Sequence, residues 1–95
     1  MAQLHARRCL VSGKVQGVFF RASTRQKAVE LGCAGYAHNL ADGRVEVLAI
    51  GEPSSVAKLI DWLRAGPPAA HVSGVEVQSL ELDTLKDVPT GFATG

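Results

Sequence analysis

LHARRCLVSGKVQGVFFRASTRQKAVELG, from Leu4 to Gly32, holds one complete strand-to-helix unit. Leu4 to Ser12 alternates and is rich in apolar residues, the pattern of a strand. Arg21 to Leu31 reads as a helix. Thr24, Ala28 and Leu31 fall at i, i+4 and i+7, and Gly32 supplies the stop. Between them lies the loop Gly13-Lys14-Val15-Gln16-Gly17-Val18-Phe19-Phe20. Eight residues is long for a tight connection between a strand and a helix. Two glycines let its backbone curl, and a curled loop points several N–H groups at one spot. A helix N-terminus carrying Arg21 adds positive potential there. The chemistry this suits is binding of a tetrahedral anion such as phosphate. On composition alone, the same loop reads equally well as a surface connection whose apolar residues cap the core.

The pattern continues outward from this unit. Cys33 to Leu40 reads as a strand, Asp42-Gly43 as a hairpin turn, and Arg44 to Ile50 as the returning strand. Val45, Val47 and Ala49 share one face of it; Arg44, Glu46 and Leu48 share the other. A second helix starts at Pro53, with Ser54 or Ser55 as its cap. Val56, Leu59, Ile60 and Leu63 form its apolar stripe, and Gly66-Pro67-Pro68 ends it. Val72 to Asp83 is the last long strand. Its apolar set slips phase between Val75, Val77 and Leu80, Leu82, which predicts a bulge near Gln78-Ser79. The tail from Thr84 is polar and turn-rich, with Gly91-Phe92 as a short edge strand anchored by Phe92. The order β-α-β-β-α-β fits an α+β, ferredoxin-like split β-α-β sandwich: an antiparallel sheet with both helices on one face. At 95 residues, 1–95 is expected to form one domain.

Two side chains stand out chemically. Arg21 offers a planar, paired grip on phosphate oxygens that lysine cannot match. It sits against the positive end of a helix dipole, an unfavourable place for a cation that serves only solubility. Asn39 lies in the second strand, where asparagine is disfavoured, and its carboxamide orients a water without titrating. It reads equally as a turn-initiating residue. The split β-α-β arrangement lets this strand end near the first strand-to-helix connection, so Arg21 and Asn39 form a candidate pair.

The remaining composition is restrictive. Net charge is +1, and Arg7-Arg8 is the only adjacent pair of cations, unlike a dedicated nucleic-acid binder. His5, His38 and His71 show no metal-ligand spacing, and no C-x-x-C is present for a metal chaperone. Cys9 and Cys33 read as reduced, partly buried thiols. Ser12 and Ser23 lack a base partner for nucleophilic work. Trp62 lies beside the apolar face of the second helix and reads as packing. No run approaches the ~20 apolar residues of a membrane helix, and no signal peptide is visible, so a cytoplasmic protein is expected.

These residues resemble the acylphosphatase family. Its first motif is matched by Gly13, Val15, Gln16, Gly17, Val18, Phe20, Arg21 and Thr24, and its second by Gly35, Tyr36, Ala37, Asn39, Gly43, Val45 and Glu46. Gly66-Pro67-Pro68 and the Gly91-Phe92 ending also fit, so the likeness spans roughly the whole chain. Ala22-Ser23 is smaller than the family's usual pair, and Ala93-Thr94-Gly95 is a weak continuation of an edge strand. The resemblance implies hydrolysis of small acyl phosphates to a carboxylate and inorganic phosphate. It assigns Arg21 to phosphate binding and catalysis, and Asn39 to positioning the attacking water. The amides of Val15, Gln16, Gly17, Val18, Phe19 and Phe20 correspond to a phosphate cradle. It further implies no metal or organic cofactor. A monomer is the default expectation for a domain of this size, and the composition predicts no nucleic-acid or membrane partner. Inorganic phosphate and sulfate are the expected competing anions. A phosphate-binding regulatory module without turnover, and a nucleic-acid-binding domain of the same fold, are the alternatives.

Overall fold

The computed structural model describes residues 4–82 and 89–94. The elements run β1 (His5–Lys14), α1 (Phe20–Leu31), β2 (Ala34–Asn39), β3 (Val45–Gly51), α2 (Pro53–Ala65), β4 (His71–Leu80) and β5 (Phe92–Ala93). The strands form one sheet in the order β4-β1-β3-β2-β5. β1 pairs antiparallel with both β3 and β4, and β3 antiparallel with β2. β5 lies parallel to β2 at the edge, so the sheet departs from the expected all-antiparallel pattern at that strand alone. The ferredoxin-like α+β sandwich is otherwise as the element order predicts.

One face of the sheet carries both helices. Cys9, Val11, Ala37, Val45, Val47 and Ala49 meet Phe20 and Ala28 of α1 and Val56, Leu59 and Leu63 of α2 in one buried cluster. Each large apolar side chain buried there is worth about 1.5–3 kcal/mol relative to exposure. On α1 the buried stripe is Phe20, Thr24 and Ala28. Thr24 is fully buried, and its hydroxyl donates to the Phe20 carbonyl at 2.8 Å, which satisfies it within the helix. Trp62 packs against the same cluster, its ring centroid 6.0 Å from that of Phe20. On the opposite face Ala6, Leu48 and Ile50 are buried with Tyr36, Leu80 and Leu82 against them.

Several local expectations change. β1 continues to Lys14 through an irregularity between Ser12 and Gly13, and Gly13 and Lys14 pair with Val72 and His71. Gly13 is required there because a Cβ would meet the His71 carbonyl oxygen at 2.1 Å. Its φ is +120°, so the glycine serves the sheet and not the loop. The loop is thereby shortened to Val15–Phe19. No bulge occurs at Gln78-Ser79, where the register with Arg8 and Arg7 is continuous. The phase slip has another cause: Val75 packs on the helix-side cluster, whereas Leu80 packs on the opposite face. The expected strand end at Asp83, the tail from 84 to 88 and Gly95 lie outside the described residues.

At α2, neither Ser54 nor Ser55 caps the helix. Pro53 occupies its first turn and holds Glu52 extended, so Glu52 becomes the N-cap, without a side-chain hydrogen bond. The β2–β3 turn is wider than two residues. The Leu40 N–H donates to the Arg44 carbonyl at 2.8 Å, and the Gly43 N–H donates back to the Leu40 carbonyl at 3.2 Å.

Candidate active site

The sheet register places the site. Val11 pairs with Val45, and Val45 with Asn39, so Asn39 stands two strands from the end of β1. β1 and β2 both flank β3 antiparallel and are therefore parallel to each other. Their C-terminal ends lie on the same edge of the sheet, about 10 Å apart at the usual strand spacing. The loop Val15–Phe19 and the first turn of α1 rise from that edge. Val15, Gly17, Phe19, Phe20, Arg21, Ala22, Asn39 and Thr94 line a hollow of about 290 Å³.

The hollow has a donor-rich end. Phe19 is the N-cap of α1, and the first helical bond is the Ser23 N–H to the Phe19 carbonyl at 3.0 Å. The amides of Phe20, Arg21 and Ala22 precede that bond and have no intrahelical acceptor. No side chain caps them and no acid stands in the first turn. The end of the helix is thus left with its positive partial charge uncompensated. Arg21 adds a full positive charge. Among the described residues its guanidinium donates one bond, to the Thr94 carbonyl at 3.2 Å, which tethers it to the β5 edge and leaves its remaining donors without a described partner. Asn39 is exposed at the end of β2.

The loop that bends around this end is strained at one point. Phe19 has φ 59° and is 83% exposed. A left-handed conformation costs a residue with a Cβ roughly 1–2 kcal/mol. Packing does not repay that cost, because the ring is in solvent. Val15 and Phe20, both 1% exposed, anchor the loop, and Val18 packs partly against the core. Phe19, although apolar, is therefore not among the loop's anchors. Gly17 has φ 74° with open space around it, a freely curled backbone at the wall of the hollow.

Of the residues singled out in the sequence, Val15, Gly17, Phe19, Phe20, Arg21 and Asn39 meet in one hollow; Gln16 and Val18 are not among its lining. Gln16 has a different task. Its carboxamide donates to the Leu40 carbonyl at 2.9 Å and to the Arg44 carbonyl at 3.0 Å, tying the loop to the turn that follows Asn39. That turn is also held by Asp42. The backbone N–H of Arg44 donates to Asp42 at 3.1 Å, and the Arg44 guanidinium at 2.8 Å, which keeps the carboxyl below its usual range. Sequence reasoning noted Ala22 only as a small residue where the family has a larger one, and missed Thr94 as a wall. The small size of Ala22 was the available signal, while Thr94 enters only through the pairing of β5 with β2.

A larger hollow of about 450 Å³ lies at the other end of β1, lined by Leu4 to Arg7 and Ser79 to Leu82. The Arg7 guanidinium there is already engaged by the Ala6 carbonyl and the His5 ring. Among the described residues, no group of three or more His, Cys, Asp or Glu side chains is placed to hold a metal ion. No helix among the described residues is long and apolar enough to cross a membrane.

The family model for acylphosphatase matches residues 7–94. This chain belongs to the acylphosphatase family. It is 52% identical to an acylphosphatase of Halorhodospira halophila over 93% of this chain and 91% of that one. With an acylphosphatase of Alkalilimnicola ehrlichii the identity is 57%, over 92% and 93% of the two chains. The structure of an acylphosphatase from Coxiella burnetii superposes with a TM-score of 0.88 at 41% identity, covering 97% of this chain and 93% of that one. Membership makes the chain an acylphosphatase-type hydrolase, and its reaction class is hydrolysis of acyl phosphates.

Proposed function

We propose that the hollow between Arg21 and Asn39 binds the phosphoryl group of a small acyl phosphate, and that a water held by Asn39 attacks it in line. The observation that carries this reading is the meeting of a free helix N-terminus, an arginine with no acidic partner among the described residues and an asparagine around one hollow. The phosphoryl group sits in the curl of Val15 to Phe20, with backbone amides and the Arg21 guanidinium on its non-bridging oxygens. Water attacks phosphorus, the P–O bond to the acyl group breaks, and the carboxylate departs. The bound phosphoryl oxygens accept the water's proton. Such transfer depends mainly on positioning and charge stabilisation, and a carboxylate needs little acid assistance to leave. No metal or organic cofactor enters this scheme.

Inorganic phosphate and sulfate offer the same tetrahedral oxygens and compete for the cradle. Residues 1–95 act as one domain, monomeric and cytoplasmic, in this reading. The retention of both Arg21 and Asn39 in one hollow favours turnover over phosphate sensing alone.

Release of phosphate from benzoyl phosphate without added metal tests the assignment. Arg21→Ala should lose on the order of a hundredfold or more in kcat/KM, the cost of a preorganised oxyanion donor. Asn39→Ala should lower kcat with little change in the inhibition constant of phosphate. Near wild-type turnover by Arg21→Ala sinks the first role; a pure affinity loss in Asn39→Ala sinks the second.

A further inference from the structure

We propose that the acyl group of the substrate lies in a groove along the outer face of α1, from Phe19 and Ala22 to Val29. The enzyme then favours acyl phosphates with an extended apolar chain over acetyl phosphate. The proposal rests on the reading of the Arg21–Asn39 hollow as the phosphoryl site.

A second hollow, of about 510 Å³, is lined by Ala22, Arg25, Gln26, Val29, Glu30 and Thr94. It shares Ala22 and Thr94 with the first. The two therefore adjoin at Ala22, whose side chain is a single methyl group, and a larger side chain at position 22 would stand between them. Thr94 is held at this junction by the bond from Arg21 to its carbonyl. Ala22 and Val29 are seven residues apart on α1, about two turns and 10 Å along one helix face.

The apolar exposure of the molecule concentrates here. Phe19 at 83% and Val29 at 63% are the two most exposed large hydrophobic residues among those described. One walls the first hollow and the other the second. An isolated exposed valine needs no explanation. Here, however, a strained phenylalanine, a small alanine and a valine follow one path that starts at the phosphoryl site. Arg25 stands between Ala22 and Val29 and can lay its aliphatic stem along the groove. Glu30 is drawn to Lys27 at 3.8 Å. A chain leaving the phosphoryl group would run over Ala22 toward Val29 and gain burial with each carbon.

The test compares kcat/KM for acetyl, butanoyl, hexanoyl and succinyl phosphate. A fully buried methylene is worth about fourfold and a half-buried one about twofold, so hexanoyl phosphate should exceed acetyl phosphate on the order of tenfold. Val29→Ser should shrink that ratio about threefold, and Ala22→Leu should abolish it by closing the junction. Both positions are on the helix surface, and matched circular dichroism would show that the variants fold. Equal rates for acetyl and hexanoyl phosphate overturn the groove, as does a ratio that neither variant alters. A preference for succinyl phosphate that Arg25→Ala removes also overturns it, because the groove would then select a charged chain end. Wild-type protein that cleaves none of the four would instead sink the underlying reading of the phosphoryl site.

Discussion

Replacing Gln16 by glutamate keeps the shape of the side chain and removes both of its donors. In the native protein those donors meet the Leu40 and Arg44 carbonyls at 2.9 and 3.0 Å and brace the loop against the β2–β3 turn. Both carbonyls keep a backbone partner, from Gly43 and Leu40 respectively, so neither is orphaned. The loss is then two ordinary hydrogen bonds, about 2 kcal/mol in total. For a domain of this size that lowers Tm by roughly 10 °C. A carboxylate facing two carbonyl oxygens is disfavoured, so the introduced group holds its proton to higher pH than in the unfolded chain. The stability deficit of Gln16→Glu should therefore be smaller in acid and grow as pH rises through that raised value. Turnover should fall further than stability implies, since a displacement of about 1 Å between the loop and Asn39 can cost on the order of a hundredfold. Thermal unfolding at pH 4 and pH 7, with acyl phosphate kinetics at pH 7, reads all of this. An unchanged Tm with full kcat would refute the brace.

The strain at Phe19 makes Phe19→Gly neutral or stabilising by up to about 1 kcal/mol in urea unfolding, since the backbone is relieved and little burial is lost. A loss above about 1 kcal/mol would show that the ring anchors the loop after all. Gly13→Ala should destabilise by about 3 kcal/mol or more, because it combines positive φ with a collision against the β4 backbone. A small effect would contradict the β1–β4 register. Burial pushes the Cys9 thiol up to about 11, so at pH 8 it should resist thiol reagents in the native protein. Rapid labelling of Cys9 without denaturant would contradict its burial.

The order of elements was legible because each helix and strand has its own period and its own stop signal. Gly32 ends α1 by accepting the chain's reversal, with its N–H donating to the Ala28 and Val29 carbonyls. Val56, Leu59 and Leu63 are fully or almost fully buried, as their spacing on α2 predicts. The errors fell where pairing partners distant in the chain decide the outcome. Gly13 and Lys14 looked like loop residues because nothing local shows that His71 and Val72 lie beside them. The phase slip in β4 looked like a bulge because alternation alone does not show a change in the buried face of the strand. At the site, Arg21 and Asn39 were legible as residues out of keeping with their local element. For Gln16 only the backbone amide was considered, and its side-chain bonds to the turn 24 and 28 residues away had no local signal. Thr94 reaches the hollow only because β5 pairs with β2, a contact without a local signal.

Amide chemical shifts of the folded protein, followed by NMR during titration with inorganic phosphate, address the location of the anion site without requiring turnover. The account predicts saturable shifts at the amides between Val15 and Ala22 and at the Arg21 Nε–H. These shifts should vanish in Arg21→Ala and persist in Asn39→Ala. Shifts centred on Arg7 at the far end of β1, or an unperturbed loop in wild-type protein, would contradict it.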